Sequence, residues 1–256
     1  MLRLLAAALA ALLACVAPQA VSAPPGVAAA SDLKFALDDI ARAYARETGK
    51  AVRLTYGSSG NFRRQIAEGA PFEVFLSADE SFVLALAREG RLENEGAVYA
   101  IGRLVLFAPA GSSVDPGKGL VALAALAREG RLAKLAIANP AHAPYGRGAR
   151  EALERAGAWD ALAGHLVLGE NVSQAAQFAI SGNAAAGIFA YSLTFSPAIS
   201  GRGRFAILPE SAHAPLVQRM ALVKGAGPDA RAFYHYLQGP AAREVFSRYG
   251  FALPGK

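Results

Sequence analysis

Residues 51–77 read AVRLTYGSSGNFRRQIAEGAPFEVFLS. Ala51 to Tyr56 has the composition of a strand, and Gly57-Ser58-Ser59-Gly60 follows as a loop of small residues. Phe62 and Ile66 then recur at helical spacing, Pro71 ends that helical stretch, and Glu73 to Ser77 predicts a second strand. Strand, loop, helix, strand is the repeating unit of an α/β protein, and a parallel sheet is the expectation that goes with it.

The same alternation extends outward. Upstream, Leu33, Leu37, Ile40 and Tyr44 mark a helix from Leu33 to Glu47, ended by Gly49. Downstream, the fully apolar Leu104 to Ala108 predicts a strand that crosses to a second lobe. Leu135 to Ala138, Leu166 to Leu168 and Ala186 to Ala190 are its further strands. Val217 to Val223 crosses back, and two helices, Pro228 to Leu237 and Pro240 to Tyr249, bury Phe233, Leu237, Val245 and Phe246. The expected organisation is a leader over residues 1–23, a first lobe over 24–102 completed by 216–256, and a second lobe over 103–215. The heptapeptide LAREGRL occurs at 86–92 and again at 126–132. Both copies read as a helix end with a C-cap glycine, a common local solution rather than a repeat architecture.

Arg3 precedes an apolar run from Leu4 to Ala17, and small residues end at Val21-Ser22-Ala23. Charge, length and cleavage pattern are those of a secretory signal peptide, with Ala20 and Ala23 as alternative cleavage points. The run is shorter than the roughly 20 residues that cross a bilayer, so a soluble, exported chain is expected. The single cysteine, Cys15, lies inside the leader in the setting of a lipoprotein attachment site, which leaves a lipid-anchored form open. Without Cys15, neither disulfides nor thiolate metal sites are available. The net charge of +6, from 26 Lys+Arg against 20 Asp+Glu, is dispersed along the chain. That pattern describes a solvated basic surface and speaks against nucleic acid as a partner.

In open α/β sheets, ligands bind beyond the carboxyl ends of the strands. Four strand-to-helix junctions qualify here. Ala28-Ala29-Ala30-Ser31-Asp32 leads into a helix start, where the Ser31 hydroxyl and the first-turn N–H groups offer donors to an anion that the helix dipole also attracts, or Ser31 or Asp32 is simply the N-cap. Ser58 and Ser59 stand at the second junction between glycines that permit close approach, either as a capped loop or as binding groups. At the third, Pro140 and Pro144 stiffen a loop carrying Tyr145 ahead of a helix from about Arg147, so Tyr145 reads as core or cleft. The fourth, Glu170-Asn171-Val172-Ser173, presents the N–H groups of Val172 and Ser173. Together they describe a cleft of neutral hydrogen-bond donors.

Enzyme constellations are missing. No GxSxG elbow, GxxxxGK loop or strand-borne GxGxxG occurs, and His142, His165, His213 and His235 lack metal-ligand spacing. A secreted hydrolase built on Ser59 has no evident base.

The chain resembles the periplasmic molybdate-binding proteins of ABC transporters, over essentially its whole exported length. The resemblance rests on Ala29-Ala30-Ser31, on Gly57-Ser58-Ser59-Gly60 with Gln65-Ile66 and Gly69-Ala70-Pro71, and on Phe75-Leu76-Ser77-Ala78-Asp79. Further matches are Asn139-Pro140 with Ala143-Pro144-Tyr145-Gly146, Gly157-Ala158-Trp159-Asp160, and Phe233-Tyr234 with Arg248-Tyr249-Gly250-Phe251. It implies a two-lobed, type II periplasmic binding fold with a hinge and an interlobe cleft, and a monomer that delivers molybdate or tungstate to a membrane permease without a cofactor. Ligand contacts implied by the resemblance fall on Ser31 and Ser59, on Tyr145, and on the Val172 N–H, with Asp32, Ser58 and Tyr191 in reserve. Many members place a binding tyrosine directly after the strand matching Gly187-Ile188-Phe189. Here Ala190 holds that place and Tyr191 comes one residue late, which turns a side chain to the other face if the strand continues. Sulfate and phosphate are the rival ligands of the same class.

Overall fold

The computed structural model describes residues 23–255. The expected leader, Cys15 included, lies outside them except for Ala23. The strands are β1 (Gly26–Ala30), β2 (Arg53–Gly57), β3 (Val74–Ser77), β4 (Ala97–Gly102), β5 (Leu104–Pro109), β6 (Leu135–Ala138), β7 (Leu166–Gly169), β8 (Ala186–Ala190), β9 (Gly203–Ile207) and β10 (Leu216–Leu222). They form two sheets, ordered β2-β1-β3-β10-β4 and β7-β6-β8-β5-β9.

The sheets are mixed, which corrects the parallel expectation. β1 runs parallel to β2 and β3, and β6 runs parallel to β7 and β8. By contrast β10 is antiparallel to β3 and β4, and β5 is antiparallel to β8 and β9. A parallel neighbour needs a crossover helix. β5 enters its sheet directly from the other one, with only Arg103 between it and β4, so no crossover precedes it.

β1 was anticipated only as the lead-in to the first strand-to-helix junction, without bounds, although it lies between β2 and β3 and every one of its residues is buried. Its sequence, GVAAA, lacks the β-branched and aromatic bulk that marks a strand. Small size is what its position requires: Val27 and Ala29 join one apolar cluster while Ala28 joins another on the opposite face. β4 and the edge strand β9 were not anticipated.

Helices flank both sheets. Lys34–Thr48 follows a single 3-10 turn, Ser31–Leu33, and buries Leu37, Ile40 and Tyr44. That face packs on the helices Pro228–Gln238 and Pro240–Arg248, where Tyr44 meets Phe233 edge-on at 5.1 Å. In the second sheet, Leu104 to Ala108, Leu135 to Ala138 and Ala186 to Ala190 are continuously buried, as strands covered on both faces must be. Both copies of LAREGRL end a helix, with the Arg91 and Arg131 N–H groups closing back on the Leu86 and Leu126 carbonyls at 3.0 and 2.8 Å.

This topology sets strand ends beside one another. Ala30 pairs with Gly57 at the carboxyl edge of the first sheet, and Ala138 with Gly169 at that of the second.

Phe233 is fully buried at the centre of the first core. Phe233→Ala should therefore lower unfolding free energy by about 3–5 kcal/mol, measured by urea denaturation.

Candidate functional site

The two carboxyl edges meet around a small cavity of about 10 Å³, close to the space one ordered water needs. Ser31, Asp32, Ser58 and Ser59 line it from one side, and Tyr145 and Val172 from the other. Alanines, Gly57 and Pro144 complete the wall, and among the described residues no Lys, Arg or His lines it.

Ser59 opens the helix Ser59–Ala67. Its Oγ accepts the Ala78 N–H at 3.0 Å, which fixes the hydroxyl and leaves its proton for another acceptor. Ser31 is not an N-cap, and neither is Asp32: no side chain caps the 3-10 turn or the helix after it. The Ser31 Oγ instead accepts the Ser173 N–H at 3.3 Å, while the Ser31 carbonyl accepts the Ser173 hydroxyl at 2.9 Å. Val172 is the first residue of the helix Val172–Ile180, whose N-cap, Asn171, accepts the Gln174 N–H at 3.1 Å. A first-turn position leaves the Val172 N–H without an intrahelical partner.

Tyr145 is helical rather than in the loop, because the helix begins at Pro144, whose missing N–H is no loss at N1. Its hydroxyl donates to Asp32 Oδ2 at 2.9 Å and accepts from Gln218 Nε2 at 3.0 Å. Gln218 Nε2 also reaches Asp32 Oδ2 at 2.6 Å, and Gln218 Oε1 accepts the Tyr99 hydroxyl at 2.6 Å. All four side chains are buried, and Asp32 Oδ1 has no hydrogen-bond partner among the described residues. Gly102 leaves the space for this network: a Cβ there would lie 2.2 Å from the Tyr145 hydroxyl.

Other bonds draw the two sheets together. Gly60 N–H donates to the His142 carbonyl at 3.0 Å, and the Ser58 hydroxyl donates to the same oxygen at 2.6 Å. Asn61 meets Glu170 and Arg147 meets Asp79 across the same gap. Ser192 donates to the Asp32 carbonyl at 2.8 Å. The lobes are therefore closed. Ser58 is held by this closure, and Tyr191 is not brought to the cavity at all. Its ring packs 5.0 Å from Phe195 and 5.7 Å from Phe205; β8 ends at Ala190 and Tyr191 opens a 3-10 turn, so the alternation of a continuing strand does not apply to it.

Residues 26–252 match the family described as "Bacterial extracellular solute-binding protein". The chain belongs to that family. This solute-binding protein is 36% identical over 254 residues to the molybdate-binding protein ModA of Azotobacter vinelandii, covering 98% of this chain and 97% of the relative. It is also 36% identical to the Rhodobacter capsulatus ModA over 216 residues, 83% of this chain and 82% of the relative. Its fold matches the solved Azotobacter vinelandii periplasmic molybdate-binding protein with a TM-score of 0.81 at 31% identity, covering 90% of this chain and 99% of that one. The relatives are binders, not enzymes, in line with the missing catalytic constellations.

Reading the sequence missed three groups in this solute-binding protein. Gln218 is an amide inside the apolar-flanked strand β10, next to Arg219, and only its complete burial sets it apart. His142 acts through its carbonyl, and Tyr99 sits in an unanticipated strand.

Burial, partly opposed by the Gln218 and Tyr145 hydrogen bonds, raises the Asp32 carboxyl from 3.8 to about 6. The backbone N–H groups of Asp32 and Leu33 also lower it. Desolvation and the neighbouring carboxylate also push Tyr145 well above the usual phenol range. Because the folded chain holds the Asp32 proton more tightly than the unfolded chain, this group favours folding below pH 3.8, and that contribution is lost as pH rises through about 6. Two pKa units amount to about 3 kcal/mol. Asp32→Asn should thus raise the stability of the ligand-free protein above neutrality by up to about 3 kcal/mol, with the gain vanishing toward about pH 4. Urea titrations at several pH values read this out.

A Cβ on Gly60 would lie 2.5 Å from the His142 carbonyl oxygen. Gly60→Ala should hold the lobes apart, giving a larger radius of gyration than wild type in small-angle scattering.

Proposed function

We propose that this chain captures molybdate or tungstate between its lobes, outside the cytoplasm, and presents it to the permease of an ABC transporter. The carrying observation is the small cavity at which helix starts from both lobes meet with neutral donors and no cation. A doubly charged tetrahedral anion suits it: several charge-assisted hydrogen bonds converge in a dry space and no counter-charge need be buried. The names of the ModA relatives support the choice of oxyanion.

In this reading the Ser31 and Ser59 hydroxyls, the Val172 N–H and the Tyr145 hydroxyl hold the four oxygens. Residues 24–102 with 216–256 form one closing unit and 103–215 the other. The chain acts as a monomer after export by its leader, or stays tethered through Cys15.

Sulfate and phosphate are the competing ligands. A hydrolase is disfavoured by geometry, since the Ser59 Oγ meets a backbone N–H rather than a base. Ser58 lies 2.9 Å from His142 Nδ1, but its proton goes to the His142 carbonyl, so the imidazole does not activate it.

Ser59→Ala removes one charge-assisted hydrogen bond, on the order of 1.5–3 kcal/mol or about ten- to a hundredfold in affinity. Ser31→Ala should behave alike, whereas Val172→Ala keeps its N–H and should cost little. Calorimetric titration with molybdate measures all three, and serine variants that fold yet bind normally overturn the site. Saturating molybdate should also raise the thermal midpoint while equimolar sulfate does not. Equal shifts from both would remove molybdate as the preferred ligand.

A further inference from the structure

We propose that this solute-binding protein takes up one proton, onto the Asp32 carboxyl, with each doubly charged oxyanion it binds. The proposal rests on the oxyanion reading above and adds a chemical condition to it.

Asp32 lines the same cavity as Ser31 and Ser59 and is 1% exposed. Its Oδ2 receives the Tyr145 O–H at 2.9 Å and the Gln218 N–H at 2.6 Å, whereas the buried Oδ1 receives nothing from the described residues. An ionised carboxylate only accepts hydrogen bonds. In that state Asp32 offers an anion like charge at short range and also consumes the one proton that Tyr145 could give.

Hydrogen bonds ease the charge only in part, and no cation among the described residues neutralises it. The groups facing the carboxyl are Tyr145 from the helix Pro144–Arg155, Gln218 from β10, the Asp32 and Leu33 backbone N–H groups of its own turn and, behind Gln218, Tyr99 from β4. The two phenols are held neutral by burial and by the carboxylate itself. No Lys, Arg or His acts on Asp32. A dianion placed beside an ionised Asp32 in a space this dry would meet repulsion that neutral donors must overcome.

One proton from solvent removes that conflict and adds a donor. On Oδ1 it gives the carboxyl an O–H of its own to donate. On Oδ2 it can be donated to the Tyr145 oxygen, which frees the phenol O–H for the anion. Either way the site exchanges a charge of the wrong sign for one more hydrogen bond. Burial has already brought the carboxyl to about 6, so protonation near neutral pH is accessible.

Linkage then sets the pH dependence. Affinity should be flat below about pH 6 and fall about tenfold per pH unit above it, because one proton is bound with each ligand. Asp32→Asn supplies a fixed N–H donor without charge. Its affinity should lose this slope and exceed that of wild type by up to about a hundredfold near pH 8, two units above the carboxyl's pKa.

The deciding experiment is calorimetric titration of the folded wild-type protein and Asp32→Asn at about pH 8 with molybdate, tungstate and sulfate, each in two buffers of different ionisation enthalpy. The expected result is one proton taken up per oxyanion by wild type and none by Asp32→Asn. Binding to wild type without proton uptake overturns the proposal and leaves the oxyanion reading intact. Uptake that persists in Asp32→Asn also overturns it, and assigns the proton to another group such as His142. Failure of all three anions to bind overturns the oxyanion reading and this proposal together. If the Asn variant does not fold, the wild-type slope and proton count decide between the outcomes.

Discussion

The buried hydrogen bond between Tyr145 and Asp32 joins elements of both sheets. It ties the first helical turn after β1 to the first turn of the helix Pro144–Arg155, and through Gln218 it includes the strand that returns from the second lobe. Both partners are buried, so neither can be satisfied by bulk water if the other withdraws. The surrounding chain is shaped around them: Gly102 has no side chain because the tyrosine hydroxyl occupies that space, and the Ser192 hydroxyl fastens the Asp32 carbonyl from a third direction. The electrostatics of the cavity follow from where this pair sits, and the closing contacts of Gly60 and Ser58 with His142 lie beside it.

Much of the architecture was legible because it is written in apolar runs. Leu135 to Ala138 and Ala186 to Ala190 are strands at the residues expected, and the first crossing strand, Leu104 to Ala108, was recognisable by its unbroken apolarity. The bounds of β1 were not, because alanine carries no strand signal and the need for small side chains there arises only once helices cover both faces. Sheet direction was also beyond the pattern. An apolar run reads alike in either direction, and what reverses β5 and β10 is the path of the chain between lobes.

The site was legible to a different degree. Ser31, Ser59 and Val172 stood out as helix starts, Tyr145 as a proline-fixed loop residue, and the family resemblance implied contacts from all four; the structure places all four on the lining of one cavity. What a local rule could not show is which hydroxyls remain available. Ser58 and Ser59 are neighbours of the same type in the same loop, yet one is spent on the His142 carbonyl and the other keeps its proton. That difference is set by residues 84 and 19 positions away in sequence. The buried carboxyl was similarly ambiguous, since Asp at a helix start is ordinarily a cap and here caps nothing.

Two covalent links join the sheets, the single residue Arg103 between β4 and β5 and the segment 208–215 between β9 and β10. A body attached to another at two points is left with one easy rotation, about the line through those points, as a door is on its hinges. A lone flexible tether would let the halves wander in every direction and would lose all of that freedom on closing. With one axis, little orientational entropy remains to be surrendered, so the search for the closed state is a swing along a single coordinate rather than an encounter.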